Sequence, residues 1–82
     1  MITAAQIRAA RALLRWTMQD AAEKSGVSLP TIKRLELMEG VPASRSQTLV
    51  DLQRAFEAAG VEFIGTPDEG PGVRLVKRSR RS

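Results

Sequence analysis

The chain has 82 residues, with 13 Lys or Arg, 9 Asp or Glu and a formal net charge of +4. This length allows one domain, which buries only a modest share of its surface, so dimerisation would help to stabilise it. The chain has neither cysteine nor histidine, which excludes a disulfide framework, a cysteine metal site and a Ser-His-Asp triad. We therefore expect no enzymatic activity, no metal and no other cofactor.

No apolar run reaches membrane-spanning length and the first residues lack a signal-peptide core, so we expect a soluble cytoplasmic protein without membrane contact.

The positive charge is concentrated near the end of the sequence. Residues 1–73 contain 8 basic and 9 acidic side chains, whereas residues 74–82 contain 5 basic and no acidic ones. Electrostatic attraction of the folded part to nucleic acid therefore depends on where its basic side chains lie rather than on the net charge. Residues 77–82 are predicted to form a disordered basic tail, either a solvated end or a non-specific contact to phosphates.

The first predicted helix covers about residues 4–15. Thr3 and Gln6 have the spacing of a capping box, which marks the start of a helix. Its apolar face consists of Ile7, Ala10, Leu13 and Leu14. Trp16 follows in the connection to the next helix and is expected in the core.

A second helix is predicted over about residues 18–25. Thr17 is a candidate N-cap, and the charge of Asp20 suits the positive end of the helix dipole. Ala21 and Ala22 are small enough for another helix to approach closely. Gly26 can end the helix because glycine adopts the left-handed conformation without a Cβ penalty.

A third helix is predicted over about residues 29–37. Ser28 is its expected N-cap, and Pro30 is tolerated in the first turn because N–H groups there have no helical partner. Ile32 and Leu35 share one face, which leaves the polar side chains outward: Ser28, Thr31, Lys33 and Arg34. Two short helices joined in this way are typical of a helix-turn-helix that reads the major groove of DNA. The alternative is an amphipathic helical hairpin with only a structural role.

The remaining sequence predicts a loop, a fourth helix and a hairpin. Gly40 and Pro42 break any helix over residues 38–45. The fourth helix covers about residues 46–59, with Ser46 as a possible cap. Its core stripe contains Leu49, Leu52, Phe56 and Ala59.

Two β-prone segments flank a turn-rich stretch and predict a β-hairpin over about residues 61–76. A lone hairpin is barely stable in water. It either covers the end of the fourth helix or pairs with a second copy across a two-fold axis. In the second case the residues expected to contact a partner are Val61, Phe63, Ile64, Val73 and Leu75.

The stretch from Arg11 to Glu36 resembles the lambda-repressor-like, Cro/CI-type helix-turn-helix family of bacterial regulators. The matching positions are Arg11, Leu14, Trp16, Ala22, Gly26, Val27, Ser28, Ile32, Leu35 and Glu36. The resemblance extends over about residues 3–76, because the predicted hairpin after the last helix is similar to a hairpin found at that place in one subgroup of the family. It implies a mostly α-helical, four-helix DNA-binding domain over residues 1–76.

The resemblance also implies roles for individual residues. Arg11 and Glu36 match a salt bridge between the first and third helices. DNA contacts are implied for Thr17, Gln19, Ser28, Leu29, Pro30, Thr31, Lys33, Arg34 and Arg45. Arg34 is the best candidate for a bidentate contact to guanine, which gives about 1–3 kcal/mol of discrimination.

Two positions depart from the family pattern. The family has a glutamine where this chain has Met18, and the glutamine stands one residue later at Gln19. Ala21 replaces a bulky apolar residue. With Leu29 and Pro30 among the positions that face the groove, fewer polar contacts to DNA remain. We therefore expect modest DNA affinity, or a surface that also contacts protein.

Two functions follow as hypotheses. The first is a transcriptional regulator, a repressor that binds a palindromic operator in double-stranded DNA as a homodimer, in the bacterial cytoplasm and associated with the nucleoid. The second is a protein-binding module on the same scaffold, either an antiactivator that sequesters a transcription factor or an antitoxin. The near-neutral folded part and the apolar pairs 29–30 and 37–38 favour the second hypothesis. The two functions can also be combined.

Overall fold

The computed structural model describes residues 1–76, which form four helices followed by a two-stranded antiparallel hairpin. The helices are α1 (Ala4–Leu14), α2 (Met18–Ser25), α3 (Leu29–Glu36) and α4 (Ser46–Ala58), and the strands are β1 (Val61–Thr66) and β2 (Glu69–Leu75). The predicted fold class is confirmed. The tail predicted over residues 77–82 lies outside the described residues.

Local side-chain bonds fix the starts of the first two helices. Thr3 Oγ1 accepts a hydrogen bond from the backbone N–H of Gln6 at 3.1 Å, and Gln6 Oε1 accepts one from the N–H of Thr3 at 2.8 Å. Thr17 and Asp20 form the same reciprocal pair at 3.0 and 2.9 Å. Each cap contributes about 1 kcal/mol. Gly26 ends α2 with a φ of 79°, as its position in the sequence predicted.

The start of α4 differs from the prediction. Arg45, not Ser46, is the N-cap, and no side chain caps the helix. The carbonyl of Arg45 accepts from the N–H of Thr48 at 3.0 Å, so Ser46 is already inside the first turn. The prediction of Ser46 as a cap is wrong because arginine takes the extended backbone that precedes the helix.

The core lies between the helices and one face of the hairpin. Its largest fully buried side chains are Ile7, Ile32, Leu35, Leu49, Leu52 and Phe56. The Phe56 ring lies 5.6 Å from Trp16 and 6.1 Å from Phe63, measured between ring centroids. Leu13 was predicted on the apolar face of α1, but it is 40% exposed.

The hairpin packs against α1 and α4 rather than standing free. Val61 is 2% exposed, and Phe63 and Val73 pack against the core. Val61, one of the predicted partner contacts, is already buried within its own chain. Ile64 and Leu75 remain 39% and 52% exposed. The hairpin thus covers the core, and only these two of the five predicted contact residues present much apolar surface.

Gln6 attaches the hairpin to α1. Its Nε2 donates to the carbonyl oxygens of Ile64 at 3.2 Å and Gly72 at 2.9 Å, residues that are paired in the hairpin register. One 4% exposed side chain therefore caps α1 and holds both strands. Sequence spacing predicted the cap but not the contact to the hairpin.

Replacing Gln6 with alanine is expected to lower the free energy of unfolding by roughly 2–3 kcal/mol, because a cap is lost and two carbonyls lose a donor. Urea unfolding measures the total loss, and amide hydrogen exchange shows whether the hairpin opens first. Gln53→Ala is the matched control, since within residues 1–76 the Gln53 side chain bonds only to Glu57, in an exposed contact along α4. Equal losses in the two variants would contradict the role of Gln6.

Candidate nucleic-acid interface

The helix α3, here called the recognition helix, is fixed to the core along one side. Ile32 and Leu35 are fully buried. Ser28 caps the helix, accepting from the N–H of Thr31 at 3.4 Å while its hydroxyl bonds Thr31 Oγ1 at 2.8 Å. Val27 is 8% exposed and fills the turn between α2 and α3. The buried side therefore determines which residues of the helix face solvent.

The far end of the recognition helix is held by two arginines of α1. Arg11 forms a bidentate pair with Glu36, with Nε–Oε2 at 2.9 Å and Nη2–Oε1 at 3.0 Å. The Glu36 side chain is 3% exposed and that of Arg11 24%. Arg11 also donates to the carbonyl of Trp16, and Arg8 donates to the carbonyl of Glu36. This arginine clamp fixes the position of α3 relative to α1.

The clamp favours the charged form of Arg11, which is also the form that arginine takes at neutral pH without a partner. The hydrogen bond to Glu36 raises the pKa of Arg11 above its already high ordinary value, against the opposing effect of burial. A base with a raised pKa stabilises the fold at every pH below its ordinary pKa. Its contribution is therefore intact at neutral pH and is lost only in strong alkali. Sequence comparison pointed to Arg11 and Glu36, but it missed Arg8, which lies one helical turn before Arg11.

The outward face of the recognition helix is cationic. Pro30, Lys33 and Arg34 are exposed, and their spacing of three and four residues places them on one face. Leu29 and Thr31 are half-buried at its start. The one acidic side chain of this helix, Glu36, is buried and paired with Arg11.

Arg34 connects the recognition helix to the loop before α4. Its Nη1 donates to the carbonyl of Ala43 at 3.2 Å. Arg45, two residues after Ala43, is exposed and adds a second cation at the end of this loop. Within residues 1–76, neither Lys33 nor Arg45 has an ion-pair partner. The acidic Glu39 is also exposed in the loop beyond the end of α3.

The start of α2 offers polar groups that are partly engaged within the helix. Thr17 and Gln19 are both exposed. Thr17 is occupied as the N-cap, and Gln19 Nε2 donates to Glu23 Oε2 at 3.2 Å. Met18 is half-buried against the core, so its thioether adds no polar contact at this end.

A family model described as Helix-turn-helix matches residues 7–57, which extend from α1 to the last turn of α4. The chain belongs to the Cro/CI-type helix-turn-helix family. Its helix-turn-helix is therefore of the type found in DNA-binding regulators. The match ends before the hairpin. No curated protein matches the chain.

No group of His, Cys, Asp or Glu side chains within residues 1–76 is arranged to hold a metal ion. None of the four helices in this part of the helix-turn-helix protein is long and apolar enough to cross a membrane.

Proposed function

We propose that this helix-turn-helix protein is a transcriptional repressor that binds a palindromic operator as a homodimer, on the bacterial nucleoid. The observation that carries the proposal is the outward face of the recognition helix. Lys33 and Arg34 are exposed there, whereas Glu36 is buried against Arg11. A helix with this distribution of charge presents only cations to the negatively charged major groove. We propose that residues 1–76 act as one domain.

The proposed base readout depends on Arg34. Its guanidinium is anchored through one N–H at the carbonyl of Ala43, and the remaining donors are available for O6 and N7 of a guanine. Leu29 and Pro30 offer apolar contact to a thymine methyl group. Lys33 reaches a base or a phosphate.

The remaining contacts position the protein on the DNA backbone without reading sequence. They involve Thr17, Gln19, Ser28, Thr31 and Arg45. Because four of these five residues already bond within their own helix or its cap, the backbone contacts are few. We therefore propose that DNA affinity is modest for a monomer and that a dimer is needed for tight binding.

Selection from a pool of random duplexes tests the repressor hypothesis. We expect enriched sequences to contain inverted half-sites whose centres lie about 10 base pairs apart, one turn of the double helix. Each half-site should contain a G·C pair for Arg34 and a T·A pair for the apolar contact of Leu29 and Pro30. A pool with no enriched sequence after repeated selection would overturn sequence-specific binding.

The proposed dimer uses the exposed end of the hairpin. Leu75 is 52% exposed and pairs with Val61, so it lies on the hairpin face that covers the core. Val76 follows at 45% exposure. A second copy can bury this apolar edge by continuing the core across a two-fold axis.

Leu75→Lys is expected to convert the dimer into a monomer, since a charge at a buried apolar contact is strongly unfavourable. Sedimentation equilibrium measures the change in mass. Ile64→Lys is the matched control, because Ile64 lies on the opposite face of the hairpin. A wild-type monomer, or a dimer that both variants leave intact, would contradict this interface.

A second candidate function is protein binding, and the observation that favours it is Leu37. This side chain is 87% exposed immediately after the recognition helix. This side chain adds little to its own core, and its burial against a partner would be favourable because that removes apolar surface from water. In this case the protein is an antiactivator or an antitoxin. A pull-down that recovers no transcription factor and no toxin would count against this candidate.

A further inference from the structure

Arg15 has an unusual backbone conformation between α1 and α2. It is the one non-glycine residue with a positive φ in the described part of the chain, with φ 57° and ψ 34°. The backbone N–H of Arg15 donates to the carbonyl of Ala12, and the backbone N–H of Trp16 donates to the carbonyl of Arg11. These two bonds close the end of α1. L-residues are disfavoured in this left-handed conformation, and glycine is the residue that adopts it without strain.

The fold makes no use of the Arg15 guanidinium. The residue is exposed, and within residues 1–76 its side chain has no hydrogen bond or ion pair. The other two arginines of this segment differ in this respect, since Arg8 and Arg11 both bond to Glu36. The positive charge of Arg15 is therefore available to a ligand.

Arg15 lies just before α2, the first helix of the helix-turn-helix, and in complexes of this motif that helix crosses the DNA backbone. It precedes the N-cap Thr17 by two residues. Asp20 places a carboxylate at the same end of α2, which repels phosphate. Half-buried Met18 provides no donor there. A cation beside this helix start offsets the acidic charge and adds a charged donor to the polar groups of Thr17 and Gln19.

We propose that Arg15 is a phosphate contact and that its left-handed conformation directs an otherwise unused guanidinium toward the DNA backbone. The proposal rests on the DNA-binding function proposed above. It assigns to Arg15 a role that is independent of base sequence, because phosphate contacts occur on any duplex.

The test compares wild type with Arg15→Gly on a mixed-sequence duplex over a range of salt concentrations. Glycine relieves the backbone strain, so Tm should equal the wild-type value or exceed it by up to roughly 5 °C. Binding should nevertheless weaken by roughly five- to tenfold in dilute salt. The slope of log K against log[salt] should fall by about 0.9, the value for one phosphate. If Arg15 only supported the fold, a variant that is at least as stable as wild type would not bind DNA less tightly.

Three further variants separate charge from conformation. Arg15→Lys should keep the wild-type slope, because it retains the cation. Arg15→Asn should behave like the glycine variant, because asparagine tolerates the left-handed conformation without a charge. Arg54→Ala removes an equal charge from the exposed side of α4 and should leave the slope unchanged. An unchanged slope for Arg15→Gly, in a wild type that binds the duplex, would overturn the phosphate contact alone. A wild type that binds no duplex would overturn both this contact and the proposed function.

Discussion

The variant Lys33→Ala/Arg34→Ala is expected to lose sequence-specific DNA binding while keeping its fold. The loss should be on the order of 100-fold in affinity, because a bidentate guanine contact and a second cation disappear together. Both side chains are exposed and neither belongs to the core, so the free energy of unfolding should change by only about 0.5 kcal/mol. Binding titrations and urea unfolding of the same preparation measure the two quantities.

A charge-matched control makes this result specific to the recognition helix. Lys24→Ala/Arg54→Ala removes two exposed cations from α2 and α4 and changes the net charge equally. This variant should retain most of the specific affinity. If the two double variants lose the same affinity, the effect is one of net charge and the recognition helix does not read bases.

The largest expected effect on stability comes from the arginine clamp. Arg11→Met leaves the carboxylate of Glu36, whose side chain is 3% exposed, without its partner. Removing one member of a buried pair costs about 3–5 kcal/mol. Domains of this kind have a free energy of unfolding of about 5–15 kcal/mol, so urea titrations at neutral pH should show that this variant has lost a large fraction of its stability.

A second substitution distinguishes the buried charge from a loss of packing. Arg11→Met/Glu36→Leu replaces the ion pair with apolar side chains and should recover most of the lost stability. The double-mutant cycle then gives a coupling energy of about 2 kcal/mol or more. A double variant as unstable as the sum of the two single ones would show that the pair does not act as a unit.

The parts of the fold that sequence reasoning predicted are local. The capping pairs Thr3–Gln6 and Thr17–Asp20 span three residues, so their spacing alone predicts the starts of α1 and α2. Gly26 ends α2 because glycine adopts the left-handed backbone conformation without strain. The spacing of Ile32 and Leu35 likewise predicted the buried side of the recognition helix, and with it the exposure of the cations.

The parts that it missed depend on contacts between distant segments. Gln6 bonds to Ile64 and Gly72, which lie 58 and 66 positions later in the sequence. No local pattern in the sequence marks this attachment of the hairpin to α1. The burial of Val61 follows from the hairpin packing onto α1 and α4, which periodicity in a short strand does not reveal. The left-handed backbone of Arg15 was also missed, because arginine gives no sequence signal for it.

The most direct test of DNA reading by the recognition helix is a titration of the purified protein against the DNA upstream of its own gene. It is performed at two salt concentrations, beside the Lys33→Ala/Arg34→Ala variant and a scrambled duplex. We expect wild type to bind the upstream DNA more tightly than the scrambled duplex at both salt concentrations, and the variant to bind the two equally weakly. Equal binding of both duplexes by wild type would contradict sequence-specific recognition and would favour the protein-binding function.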